Sequence, residues 1–328
     1  MTIHNAVEMY LDSCTASGKS RETVGSYRRT LVKLIEYMIM EHNICYIESI
    51  LPVHVDGFKC ARSGEVSATS LNLYLAHLRV FFSWCTEMRI IPENPFNGHI
   101  KVERSALRAK QTKPYDHVLN EDQFRQILYN EHPAGMHCKV YAFNRALLVL
   151  LITTGMRISA LSQVTLADLD WTGSTIFVRS TKGGKSGDVP FVDVAKEAVA
   201  AYLSSGTRPF DANPSDPLFC GEKSVSGAYV PCTRESLSLR VERAVKGFCG
   251  VSGFHAHAMR HTCASLLANR GMPDREISVL LMHSSSGEGA AVTSRYITRD
   301  LSPIFRRANI TFCEIANQHS ATKCKCET

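Results

Sequence analysis

The chain has 328 residues, 45% of them apolar and 21% charged, enough apolar side chain for about two folded domains and too little charge for wholesale disorder. A net charge of +6 is mildly basic, compatible with a nucleic-acid partner but not diagnostic of one. The longest apolar run, Ala146 to Ile152, is too short to span a bilayer, and the opening Met1-Thr2-Ile3-His4-Asn5 offers neither a charged leader nor an apolar signal core, so a cytoplasmic protein without membrane contact is expected.

Residues 5–13 read as a short amphipathic helix. Ser20 is placed to cap a second, with Val24, Tyr27, Leu31, Leu34, Ile35 and Met38 on one face and Arg28, Arg29 and Lys33 on the other. The next long helix starts near Ser67, with Leu71, Leu75, Leu78 and Phe82 in a stripe and Arg79 off it. Pro92 and the Asn94-Pro95 pair end regular structure. Residues 1–100 hold nine Lys/Arg against ten Asp/Glu, whereas 101–113 hold Lys101, Arg104, Arg108, Lys110 and Lys113 against Glu103 alone. This connector is either a solvated linker or a tether lying on phosphates.

A second domain is expected from Leu119, opening with a helix start at Asn120-Glu121-Asp122. Residues 140–153 predict a buried helix ending near Gly155, and 157–163 a short one. Ser174–Arg179 and Asp188–Val192 predict two strands around the Gly-rich turn Lys182-Gly183-Gly184-Lys185. Residues 206–230 are rich in turn formers and read as loops. Helices follow at 192–204, 234–248, 258–270 and 274–282, with Gly271 just past the third. The expected organisation is a helical domain at 1–100, a basic linker at 101–115, a catalytic domain at 116–312 and a flexible tail at 313–328.

The twelve cysteines form no disulfide framework, and Cys85 and Cys263, inside apolar helical runs, read as small buried hydrophobes. Cys324 and Cys326 with His319 nearby are a weak metal signal, better read as a loose tail. No phosphate-binding loop, dinucleotide fingerprint, H-E-x-x-H or strong acidic cluster is present, so no cofactor or metal is expected. His257, Arg260 and His261 share one helical face at i, i+3 and i+4, an arrangement able to hold a phosphate that also occurs on ordinary polar faces. Arg157 follows a buried helix, where a dipole partner is commoner than an anion ligand. Lys182 at a turn, His283 at a helix end and Tyr296 are each unremarkable alone.

Taken together and in order, these residues resemble the tyrosine recombinase family, which includes phage integrases and the Xer recombinases. The motifs are Gly155-Met156-Arg157-Ile158-Ser159, the Lys182 hairpin, His257-Ala258-Met259-Arg260-His261-Thr262, Leu281-Met282-His283 and Ser294-Arg295-Tyr296-Ile297. Thr23 to Leu31, Leu78 to Trp84 and Asn94-Pro95 resemble the helical core-binding domain of that family. The resemblance covers about residues 3–312 and implies a mainly α chain with a small β-sheet: a helical core-binding domain plus a mixed α/β catalytic domain. It implies catalytic roles for Arg157, Lys182, His257, Arg260, His283 and Tyr296. It also implies DNA contacts from Arg28, Arg29, Arg79, Lys101, Arg104, Arg108 and Lys110. The partners it implies are double-stranded DNA and further copies of the chain, a tetramer assembled through residues 302–312.

Three departures stand out: Ala160 where Glu is common, Met282 where Gly is common, and a longer interval from His283 to Tyr296 around Gly287-Glu288-Gly289. The competing readings are a DNA-binding protein of this fold with impaired catalysis, a related DNA-relaxing enzyme, and a metal- or thiol-dependent enzyme acting on something other than DNA.

Overall fold

A computed structural model describes residues 1–96, 100–101, 118–129, 137–179, 186–206, 213–223, 229–282 and 301–323. The chain divides into two compact units, Met1–Pro114 and Tyr115–Thr328.

The first unit is helical. Helix α1 (Ile3–Ala16) is followed by α2 (Arg21–His42), where the Ser20 hydroxyl accepts from the Thr23 N–H at 3.2 Å. Helix α4 (Ala68–Glu87) begins in the same way, Ser67 accepting from the Ser70 N–H at 3.2 Å. Each cap satisfies one of the amide donors that a helix start leaves orphaned, worth about 1 kcal/mol. Between them lies α3 (Pro52–Ser63), which periodicity did not reveal. Its start is signalled by Pro52 in the first turn, but Gly57 interrupts its interior and only Val55 and Phe58 are buried. Leu31, Leu34, Met38, Phe58, Leu78, Phe81 and Phe82 close the core of this unit, with Val24, Tyr27 and Ile35 packed against it.

The second unit is built round one apolar helix. Helix α5 (Glu121–Tyr129) starts with a reciprocal cap, the Gln123 N–H donating to Asn120 Oδ1 and the Asn120 N–H to Gln123 Oε1, both at 2.9 Å. Helix α6 (Cys138–Thr154) is buried without interruption from Ala146 to Thr154 and ends at Gly155, whose φ of +60° turns the chain away. A short α7 (Ile158–Leu161) and a 3-10 turn (Leu166–Asp168) lead into an antiparallel sheet of order β1 (Leu169–Asp170), β2 (Thr175–Val178), β3 (Gly187–Pro190). Its register pairs Phe177 with Asp188 and Val178 with Gly187.

Helix α8 (Asp193–Ser204) follows, then β4 (Cys220–Lys223) and β5 (Tyr229–Pro231), which pair antiparallel. The loop expectation for 206–230 is corrected there. Gly221 and Pro231 hide the strand pattern, and the pairing is supplied by the partner strand instead of by local propensity. Helices α9 (Arg234–Cys249), α10 (Ala256–Asn269) and α11 (Asp274–Leu280) complete the frame, and α6 packs against α5, α8, α9 and α10.

The last helix, α12 (Ser302–Lys323), corrects the flexible tail expected from residue 313. Its turns continue because Ala308, Phe312, Ile315 and Ala316 recur at helical spacing and are fully buried in the core of this unit. Phe312 meets Phe124 of α5 edge-on at 5.8 Å. Asn309 binds Asp193 twice, accepting from its backbone N–H at 2.8 Å and donating to its carboxylate at 2.9 Å. Arg270, at the end of α10, grips Glu121 of α5 with two 2.6 Å bonds and donates to Gln318 of α12 at 2.9 Å. Among the described residues no helix is long and apolar enough to cross a membrane, and no cluster of His, Cys, Asp and Glu is arranged to hold a metal ion. Cys324 and Cys326 lie outside the described residues.

Candidate active site

Three segments distant in sequence meet at the end of α6. The first is Gly155-Met156-Arg157: Gly155 turns left-handed, Met156 is buried, and Arg157, as the residue capping α7, is left exposed. A side chain at position 155 is excluded twice over, by the positive φ and because a Cβ would lie 2.2 Å from Leu281 Cδ2 and 3.2 Å from Cys263 Sγ. The second segment is α10, which carries His257, Arg260, His261 and Cys263. The third is the end of α11, Leu281-Met282.

Arg260 ties the three together. It is 7% exposed, and it donates from Nη1 to the Gly155 carbonyl at 2.9 Å and from Nη2 to the Leu281 carbonyl. Both carbonyls belong to helix ends, where main-chain acceptors lack helical partners. Burial, and then the positive charge of Arg157, depress the Arg260 guanidinium to about 10, which leaves it charged at neutral pH. His257 is held below its ordinary value by burial first, then by Arg260 and Arg157. It is therefore a neutral imidazole at pH 7. His261 meets the His257 ring edge-on at 5.0 Å and is lowered by burial, His257 and Arg260.

These groups border an open cleft of about 510 Å³ lined by Arg157, Ser159, Arg234, Ser238, His257 and Arg260, among others. Two exposed cationic or neutral-basic groups around one buried guanidinium can bind a tetrahedral oxyanion, since Arg presents its donors in a fixed fork. Arg234 and Ser238, one turn apart on α9, were missed by sequence reasoning. The sequence signal available was the Thr233 cap, which accepts from the Ser236 N–H at 3.1 Å and marks the start of α9.

The sequence-derived candidates divide as follows. Arg157, His257 and Arg260 are brought together. Lys182, His283 and Tyr296 lie outside the described residues, as do Arg104, Arg108 and Lys110 and the interval around Gly287-Glu288-Gly289. In the first unit Arg29, Arg79 and Lys101 are exposed, and Arg79 lies 5.0 Å over the Phe96 ring. Arg28 is committed to Glu8 by two bonds of 2.6 and 3.0 Å, so a phosphate would have to compete for it. Ala160 is buried against the core. Met282 adopts φ +50°, the left-handed region that makes Gly common at this position, and its Cε lies 3.2 Å from where a Cβ on Gly187 would stand.

The phage integrase family model matches residues 117–300, and the phage integrase N-terminal SAM-like domain matches residues 7–88. The chain belongs to the phage integrase family. Curated relatives of this phage integrase family member include the tyrosine recombinase XerC of Anoxybacillus flavithermus, 27% identical over 286 residues that cover 86% of this chain and 89% of the relative. XerC of Bacillus subtilis is 29% identical over 225 residues, covering 67% and 68%. Among solved structures, a lambda integrase dimer bound to a COC′ core site aligns with a TM-score of 0.63 at 18% identity, covering 92% of this chain and 79% of that one. The XerH site-specific recombinase bound to palindromic difH aligns at 0.64 and 22% identity, covering 86% and 79%. At such identities the agreement is one of fold: a mainly helical phage integrase with a SAM-like N-terminal domain and small antiparallel sheets in the catalytic part.

Proposed function

We propose that this phage integrase family member is a site-specific DNA recombinase that cuts and rejoins strands through a phosphotyrosine link at Tyr296. The observation that carries the reading is the convergence of Arg157, His257 and Arg260 on one cleft, in a chain whose relatives are tyrosine recombinases. The Tyr296 oxygen attacks the phosphorus in line, the phosphorus–O5′ bond breaks, and a 3′-phosphotyrosine bond conserves the energy of the backbone without ATP. Arg157 and Arg260 hold the non-bridging oxygens as negative charge grows on them. Lys182 gives its proton to the departing O5′, neutral His257 handles the phenol proton, and His283 donates to the scissile phosphate. Tyrosine is a weak nucleophile at neutral pH because its reference pKa is about 10, so it depends on these neighbours.

Duplex DNA as substrate is supported by the lambda integrase and XerH complexes with their DNA sites, and assembly on DNA by a lambda integrase tetramer on a Holliday junction. Exchange of residues 302–312 between copies would require the Ala308 and Phe312 face of α12 to leave its own core. Action on chromosomal or mobile-element DNA accords with a cytoplasmic protein.

The test uses a nicked duplex whose sequence is selected by the wild-type protein from a randomised DNA pool. In EDTA, the expected result is a covalent adduct that survives SDS and disappears in Tyr296→Phe. Persistence in that variant would name another nucleophile. Tight binding with no adduct would leave a DNA-binding protein of the same fold.

A further inference from the structure

Helix α9 has two chemically different sides. Leu237, Val241, Ala244, Val245 and Phe248 are buried in the core, where the helix packs against α6 and α5. On another row Arg234, Ser238 and Glu242 stand at i, i+4 and i+8 and border the cleft that Arg157, His257 and Arg260 share. At 1.5 Å per residue that row runs about 12 Å. Arg234, in the first turn, offers donors. The Ser238 hydroxyl gives its proton to the Arg234 carbonyl at 2.8 Å, which leaves it lone pairs to offer the cleft. Among the described residues Glu242 is the one carboxylate that lines the cleft, and it is exposed and makes no ion pair or hydrogen bond there. Leu239, 47% exposed, also lines the cleft. A row that ends in acceptors and carries an exposed leucine is unlike a surface built to hold phosphates alone.

We propose that Glu242 reads a base: with a backbone phosphate held by Arg157 and Arg260, its carboxylate accepts a hydrogen bond from the exocyclic amine of a nearby cytosine and so specifies one position of the recombination site. This role rests on duplex DNA being the substrate, as proposed above. A phosphate backbone offers acceptors only, and an ionised carboxylate also only accepts, so Glu242 cannot bind the backbone and is repelled by it. The donors that a duplex presents are the amines of its bases. The guanine amine lies in the minor groove, about 6 Å wide, which a helix about 10 Å across does not enter. In the major groove the amines are cytosine N4 and adenine N6. Beside adenine N6 lies N7, an acceptor that repels a carboxylate, whereas cytosine presents its amine alone. That groove is about 8.5 Å deep and admits a helix, so a row of about 12 Å beside the phosphate-binding arginines has the length to pass from backbone to base edges. At a site with another base the carboxylate is desolvated without a donor, and this cost is what discriminates.

In the experiment, wild-type protein, Glu242→Ala and Glu242→Gln each select binding sites from one pool of randomised duplex, and affinities for the selected sites are measured at a single salt concentration. The wild type is expected to select cytosine at one position where Glu242→Ala shows no preference, with the rest of the site the same in both. Replacing that cytosine by thymine is expected to weaken wild-type binding about tenfold and to leave Glu242→Ala within about twofold. Glu242→Gln is expected to prefer adenine there, since an amide donates to N7 while accepting from N6. Because the side chain is exposed, neither substitution disturbs the fold. If all three proteins select the same site and the variants bind every sequence more tightly, Glu242 is a plain source of repulsion and the base-reading role is overturned. The same site with unchanged affinity would put Glu242 off the DNA and overturn the role as well. Both results leave site-specific recombination standing. A wild-type protein that selects no sequence would overturn site specificity itself, and this role with it.

Discussion

An arginine has five N–H donors, and the Gly155 and Leu281 carbonyls engage two from Arg260 before any ligand arrives. Three remain for a phosphate, so in the proposed reaction the group that would hold the substrate also holds the site together. Lysine cannot span both carbonyls and an oxyanion, so Arg260→Lys is expected to lower the urea midpoint and also to slow cleavage by about 10²–10³. Arg157 is exposed at the head of α7, and the role proposed for it is on the phosphate and not in holding the fold. Arg157→Lys is expected to slow cleavage while leaving stability within about 0.5 kcal/mol by the same urea titration. The two arginines also act on His257. Because burial, Arg260 and Arg157 together depress its pKa, removing one cation must raise it. An NMR titration of the ring protons in Arg157→Ala should find the His257 midpoint above that of the wild-type protein, and a midpoint that does not move would dissociate the two groups.

At the scale of elements, α12 is held by its apolar stripe as much as by its hydrogen bonds to Asp193 and Arg270. Phe312→Ala should destabilise the second unit by about 3 kcal/mol, read as a lower urea midpoint, because the ring is fully buried and leaves a cavity against Phe124. This helix also shows where sequence reasoning stopped. Ser20, Ser67 and Gly155 announced their helix boundaries because a cap or a left-handed turn needs a particular residue type. The Leu31, Leu34 and Met38 stripe announced its buried face because the core accepts only that spacing. Beyond residue 312 the stripe continues only as the adjacent pair Ile315 and Ala316 between Glu314 and Asn317, too little to distinguish from a tail. Strands β4 and β5 depend on each other for pairing, which no local pattern encodes. In the site, the order of Arg157, His257 and Arg260 was legible from their motifs. The carbonyls that Arg260 holds and the place of Arg234 and Ser238 in the cleft depend on which backbone segments meet, and spacing says nothing of that.

Across the whole molecule, charge governs both stability and partner. Arg270 holds the Glu121 carboxyl below its usual range, its hydrogen bonds outweighing burial. At Asp168 burial pushes upward, but Arg179 and Thr165 more than offset it. A carboxyl whose pKa is depressed by folding contributes its stabilisation above the unfolded value near ~4, and loses it as pH falls through the folded value. Urea midpoints should therefore decline steeply below pH ~4, and Arg270→Gln should flatten that decline. Binding to duplex DNA is expected to weaken linearly with the logarithm of salt concentration. Arg29→Ala should lower that slope by about 1, whereas Arg28→Ala should change it less, because Glu8 already neutralises Arg28 in the free protein.

The meeting of Gly155, Cys263 and Leu281 has a consequence for how such a chain can diverge. With Leu281 Cδ2 only 2.2 Å from the place a Cβ would occupy at 155, mutational paths through this junction are ordered. A larger residue at 155 is accessible only after position 281 has become smaller, and even then the left-handed backbone taxes it. Gly155→Ala combined with Leu281→Ala should accordingly be less damaging than the two single losses added together. That sign of epistasis would mark the junction as a ratchet, open to drift in one order of steps and closed in the other.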